Sequence, residues 1–419
     1  MTNLPIIRGK PWLLSRDFSL VWWSQVLSQV ADGISKLALL WFVYSITGSA
    51  FKTTVLGLLQ TLPPILLGPV IGVMVDRWPK KAILICSDVT RAVLIGLIPC
   101  WVSVDSFTVE ALYVLTFFYG VATAMFIPTL SSSVPLMVKK GQLTAANALL
   151  QGTTSLGIII GPVISGLGIA VSGSQEVLCI NAVTYLVSAA LLFPLRLSTG
   201  TSAAKNRRAT ALQDLLEGLR YTLISRRTIL LLIVLASLYT FGTGAFTTLF
   251  PVFGKTLLSL GPGEVGYLWS WLGVGLLVAS LCLVRLTEWD LERRVSVIMV
   301  SSAVGGLALF GLVWTSNITT ATTLVMLIGM GFGAWTPIAW GIIQEISPVH
   351  MVGRVMALYS AVVTATSMAG MMFFGWVIEV SSEFVSLIGI SAVLLALAAS
   401  SLWFRRRMAG DTSSVDKTA

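Results

Sequence analysis

Charge is what this sequence has least of. Asp, Glu, Lys and Arg make up 11% of its 419 residues, and only 18 of them are acidic. A soluble domain needs a polar coat, whereas 56% of this chain is hydrophobic, so a bilayer is its natural solvent. The single histidine, His350, falls in a polar break between apolar runs and reads as a solvated loop residue rather than a proton relay. Cys86, Cys100, Cys179 and Cys282 stand alone, without Cys-x-x-Cys or Cys/His spacing, which argues against a disulfide framework or a metal site. They read as small core hydrophobes. The first 16 residues lack the long apolar core and small-residue cleavage site of a signal peptide, so none is expected to be removed. Gly254-Lys255-Thr256 resembles the end of a phosphate-binding loop, but Leu249 stands where the first glycine is required, and no nucleotide site is expected. No catalytic group, cofactor or metal follows from these residues.

What the chain does have is apolar runs, twelve of them. They cover about 18-46, 51-75, 81-103, 109-136, 143-172, 175-196, 228-254, 262-285, 295-315, 319-344, 352-379 and 384-404. Each reaches the roughly 20 residues that a spanning helix needs. The basic residues are partitioned between alternate breaks. Arg8 to Arg16, Arg77 to Lys81, Arg91, Lys139 and Lys140, Arg196 to Arg227, Arg285 to Arg294, Arg354 and Arg405 to Arg407 fall on one side, whereas the other side holds only Lys52 and Lys255. The positive-inside rule then puts both termini in the cytoplasm of a multi-pass inner-membrane protein. It also accounts for the net charge of +9 without nucleic acid as a partner.

The one extended polar insertion, about 197-227, lies at the midpoint. It separates residues 1-196 from 228-404, with a cytoplasmic tail at 405-419. Its Leu212, Leu215, Leu216, Leu219 and Leu223 share a face and predict an amphipathic helix on the membrane surface. The two flanking parts read as copies. At a constant offset of 209, Gly57 meets Gly266, Gly120 meets Gly329, Pro128 meets Pro337, and Ala148-Leu149 meets Ala357-Leu358. The expected fold is an all-α membrane protein of twelve transmembrane helices in two six-helix bundles. Repeats of this kind place a substrate site between the halves near mid-membrane.

After the second run the chain reads Gly72-Val73-Met74-Val75-Asp76-Arg77-Trp78-Pro79-Lys80-Lys81. Here it resembles the major facilitator superfamily, whose signature in this loop is GxxxDRxGRR. Gly72, Asp76, Arg77, Lys80 and Lys81 match, and Pro79 replaces the usual glycine. Gly72 would let two helices approach, and Asp76 at a helix end could bind a neighbouring helix N-terminus. With Asp88 and Arg91 on the next span, these residues would form a cytoplasmic latch that makes and breaks between states.

The fifth run contains Gly157, Gly161, Pro162 and Gly166, similar to the GxxxGPxxGG motif of antiporter members, with Ala148 at the position of the upstream glycine. The segments Leu143–Leu149, Gly353–Ser360, Thr47–Ala50 and Gln60–Pro63 look like the drug/proton antiporter branch that includes macrolide-efflux and siderophore-exporting proteins. In one respect the chain departs from that branch. Many proton-driven exporters carry an arginine in the fourth span, but here nothing between Arg91 and Lys139 is basic, and Thr116 precedes Gly120 instead.

Asp32 and Lys36 stand far from any span end. A charge at the bilayer centre costs roughly 2.5 to 3.5 kcal/mol on insertion scales, so it needs a partner or a task. Four residues apart on one helix, the two can pair directly. Gln25 and Gln29 extend the same face, which should look into a central cavity. In one reading Asp32 carries a proton, or frees Lys36 when substrate or proton arrives; in the other the two merely neutralise each other. Tryptophans near span ends suit interfacial belts, while Phe246, Trp335 and Trp340 lie deeper and are candidates to line a cavity for a bulky apolar ligand.

With no ATP-binding module, the expected activity is proton-coupled export of amphipathic small molecules by a monomer, the partners being substrate, protons and membrane lipids. A dedicated exporter of a siderophore or lysolipid is the alternative within transport, and a transport-inactive scaffold or sensor the alternative outside it.

Overall fold

The computed structural model describes residues 14–102, 108–197, 220–222, 227–284, 291–348 and 351–415. Leu212, Leu215, Leu216, Leu219 and Leu223, on which the linker helix was anticipated, and His350 lie outside the described residues, as do the side chains of Arg405–Arg407. The described residues form helices and no strand: α1 Arg16–Thr47, α2 Ala50–Thr61, α3 Pro63–Arg77, α4 Lys80–Val102, α5 Val109–Met137, α6 Leu143–Val171, α7 Ser174–Leu192, α8 Arg227–Thr256, α9 Pro262–Val284, α10 Leu291–Leu312, α11 Ile318–Gly333, α12 Trp335–Ile346, α13 Val352–Val380 and α14 Glu383–Val415. Twelve stretches among them are long and apolar enough to cross a membrane. They make two six-helix bundles, α1–α7 and α8–α14.

Local chemistry sets the breaks. Ser15 caps α1 by accepting from the Phe18 N–H at 3.0 Å, and the helix stops at Gly48, whose φ of +64° suits a residue without Cβ. Ser49 at once caps α2 through the Lys52 N–H. Two of the runs contain a break that hydropathy does not reveal. The second divides at Leu62, because Pro63 and Pro64 offer no N–H to continue the ladder. The tenth divides at Ala334, where Pro337 leaves the preceding turn one bond short.

Outward-facing positions are apolar as well: Leu66, Val93, Phe118, Leu167, Leu281, Val300 and Leu307 are all exposed. The four cysteines also lie exposed at the surface and not in the core, contrary to expectation. In a bilayer an apolar side chain gains little by turning inward, since the acyl chains outside are as apolar as the core.

The repeat is visible in the cavities. One of about 310 Å³ lies within the first half, lined by α3, α4 and α5, and one of about 570 Å³ lies within the second, lined by α9, α10 and α11. The 209-residue offset carries Met74, Ser87, Val121, Ala122 and Met125 of the first onto Leu283, Ser296, Met330, Gly331 and Ala334 of the second. Each cavity belongs to one half alone, so neither is the space that opens when the halves move apart.

Candidate functional site

The bundle has a terminal end, where α1 begins, and a far end at the α1–α2 turn. The contacts joining the halves are gathered from mid-height to the far end. Glu379 of α13 accepts from the Phe51 N–H at 3.2 Å and from the Ser49 hydroxyl. Lys255 of α8 lies 5.5 Å from the Trp41 ring and 5.2 Å from the Tyr44 ring of α1.

Between these, α6 and α9 touch backbone to backbone. A Cβ on Gly166 would land on the Pro262 carbonyl, and one on Gly266 would land on that of Pro162. The antiporter-like motif therefore has two jobs. Gly157 and Gly161 seat α6 on α1 at Gln29, Val30 and Gly33 inside the first half, while Gly166 and the Pro162 carbonyl meet α9 of the second. The Ser270 hydroxyl adds a bond to the Ile159 carbonyl across the halves at 2.5 Å.

On the terminal side of Ile158 and Gly273 the same two helices are parted by a cavity of about 780 Å³. Gln151, Thr154 and Ser155 line one wall; Leu276, Leu277 and Ser280 line the facing one; Tyr239, Phe332, Thr336 and Trp340 close the side. Of the three aromatic residues singled out from the sequence, only Trp340 is on this wall. Trp335 is 1% exposed and stacks behind Tyr239 at 5.1 Å, and Phe246, fully buried, packs behind Phe332 at 5.9 Å.

Loosening the far-end contacts should be measurable. Glu379→Ala, in a chain cleared of native cysteines, should raise the labelling rate of a cysteine at buried Ala50 by up to about fivefold, the scale of an exposed charged contact. An unchanged rate would remove Glu379 from the seal.

The charged centre lies inside the first half. All three donors to Asp32 converge on Oδ1: Arg91 at 2.9 Å, the Tyr185 hydroxyl at 2.6 Å and the Tyr119 hydroxyl at 3.1 Å. The Arg91 side chain is 1% exposed and also donates to Ser28 at 2.9 Å and to Asp88. Asp88 is fully buried and also accepts from the Ser28 hydroxyl at 3.4 Å and the Ser188 hydroxyl at 2.6 Å. The Arg91 guanidinium lies 4.7 Å from each of the Phe126 and Tyr185 rings. Asp32 alone stays open, with 25% of its side chain exposed.

Several sequence expectations are corrected here. Lys36 does not pair with Asp32; its ammonium points to the other half, 5.6 Å from the Trp269 ring. Asp88 and Arg91 do not join the Asp76 loop. Arg91 lies eleven residues past the start of α4, roughly 16 Å along the helix axis, and that depth brings it to Asp32. Gly72 has open space around it, so no helix approaches there in this conformation. Lys80 and Lys81 donate to the Ser132 and Phe193 carbonyls within the first half, and Arg77 is exposed. The Asp76 side chain lies outside what is described. The polar face of α1 is not uniformly open either: Gln25 is buried and its Oε1 has no partner, while Gln29 is half-buried. Tyr119, Tyr185, Ser28 and Ser188 were not anticipated. Their only signal was the need of a buried acid for donors.

Two helical bundles joined at one end, parted at the other, and holding buried charge in one half define a membrane transporter rather than an enzyme. The chain belongs to the Major Facilitator Superfamily, whose family model matches residues 21–370. It is 22% identical to macrolide efflux protein A of Streptococcus pyogenes, covering 84% of this chain and 87% of that one. It is 23% identical to the multidrug efflux pump Tap of Mycolicibacterium fortuitum, covering 94% and 97%, and 24% identical to the staphyloferrin A transporter of Staphylococcus aureus, covering 74% and 77%. Among solved structures, the nucleoside transporter NupG superposes with a TM-score of 0.73 at 12% identity, covering 92% of this chain and 99% of that one. A bacterial homologue of the lysosomal transporter Spinster superposes equally well at 13% identity, covering 95% and 98%.

Proposed function

We propose that this transporter is a proton-driven exporter of amphipathic small molecules, working as a monomer by alternating access. The observation that carries the proposal is the sharing of Arg91 between a fully buried Asp88 and a partly open Asp32. Ionised, the three sum to one negative charge. One proton on Asp32, the member that water can reach, makes the sum zero and removes the charge that holds Arg91 and the two tyrosines. Because the donors come from α4, α5 and α7, protonation there bears on the packing of the whole first half. The distribution of Lys and Arg supports an inner-membrane orientation with both termini, and thus the terminal end, in the cytoplasm. On that orientation the cavity beside Trp340 is the cytoplasm-side cavity, and the Glu379 and Lys255 contacts form the periplasmic seal. Asp76, Arg77, Lys80 and Lys81 would latch the cytoplasmic side when it closes. The efflux named for two of the relatives, of macrolides in one and of multiple drugs in the other, supports the outward direction.

The test is a substrate screen in proteoliposomes with an imposed pH gradient. Gradient-driven accumulation that a protonophore collapses is expected for at least one amphipathic compound. Transport indifferent to the gradient would end the coupling proposal, and no transport of any kind would favour the scaffold reading.

A further inference from the structure

Lys36 is the one charged residue of the central region that the charge network leaves unused. It stands twenty residues into α1, yet its side chain is exposed while Ser35 and Leu37 on either side are buried. Among the described residues, no carboxylate oxygen lies within 4 Å of it and no hydrogen bond ends on it. Asp32, one turn away, turns its bonded oxygen inward to Arg91, Tyr119 and Tyr185, and Lys36 turns outward to the Trp269 ring of α9. An ammonium at this depth costs roughly 2.5 to 3.5 kcal/mol on insertion scales, and one ring face is small compensation.

We infer that Lys36 is the anion-recognising group of the substrate site, so that the cargo is an amphipathic organic acid whose carboxylate binds Lys36 beside the buried Trp269 ring of the opposite half. This deepens the export proposal and rests on its placing of the substrate between the halves. The chemistry is that of a charge-assisted hydrogen bond, which ties affinity to the charge of the ligand. Lys36 and the ring stand on helices of opposite halves, so a bound anion also lies between the surfaces that move against each other.

Equilibrium binding tests this without any gradient. The purified full chain is titrated by calorimetry with three matched probes on one aromatic skeleton: 2-naphthylacetate, its primary amide and 2-(2-naphthyl)ethylamine. The carboxylate is expected to bind at least about tenfold more tightly than the amide, the scale of one hydrogen bond to a charged group. Lys36→Met should erase that difference, and Lys36→Arg should retain most of it. Thermal unfolding of both variants alongside the parent separates loss of the site from loss of the fold. The inference fails if the parent does not prefer the carboxylate, if Lys36→Met keeps the preference, or if the amine is the favoured ligand and depends on Asp32. Lys36-dependent binding of the carboxylate with no proton-driven movement in proteoliposomes would keep this inference and overturn the export proposal instead.

Discussion

Asp32→Asn is expected to abolish transport driven by a pH gradient, reducing it to the level of empty vesicles, while changing substrate affinity by less than about threefold. The amide keeps the size of the carboxylate and an acceptor for Tyr119 and Tyr185, which donate to Oδ1 at 3.1 and 2.6 Å. It cannot change its charge. A coupling residue carries energy only through the difference between its two protonation states, and the amide has one state. Exchange of labelled for unlabelled substrate across the vesicle membrane needs the conformational change but no net proton movement, so it should survive. The measurement is the ratio of gradient-driven uptake to exchange in one vesicle preparation. Uptake at the parental rate would remove Asp32 from the coupling step, and loss of exchange as well would make its role structural.

Arg91→Ala is expected to be the most destabilising single change in the first half. It leaves Asp88 fully buried and Asp32 three-quarters buried, with no cation between them and with space where the guanidinium lay against Phe126 and Tyr185. Breaking a buried ion pair from one side costs about 3 to 5 kcal/mol, so the detergent-solubilised variant should unfold at a clearly lower temperature. The same principle predicts rescue. Removing all three charges together, as Asp32→Asn, Asp88→Asn and Arg91→Met, should recover most of the thermal stability without recovering gradient-driven transport. A stable Arg91→Ala protein would show that the network contributes little to the fold. A triple variant that transported normally would show that it contributes nothing to coupling.

Much of the fold was legible because bilayer physics is written along the chain. The α1 cap at Ser15, the turn at Gly48 and the boundaries of α5, α6 and α13 fall within a few residues of where apolar runs and turn residues put them. The breaks at Leu62 and Ala334 were missed because a kinked span and a straight one have the same hydropathy. The candidate site was legible in its parts and not in its pairings. Asp32 and Lys36 stand one turn apart and invite an ion pair, yet each found a partner on another helix. Phe246 and Trp340 are both large aromatics within spans, but one packs behind the cavity wall and the other is part of it.

Amino-acid order by itself determined the number of spans, the duplication, the surplus of basic residues on one side and the presence of an acid too deep to be incidental. All of these follow from transfer free energies and spacing along a single helix. Only the tertiary structure decided that Arg91 belongs to Asp32 and Asp88, that Lys36 faces the opposite half, and that the cavity lies between α6 and α9 on the terminal side. Those outcomes depend on helix rotation and on which surfaces come within about 3 Å, and apolar side chains that are equally content toward lipid or protein leave both undetermined.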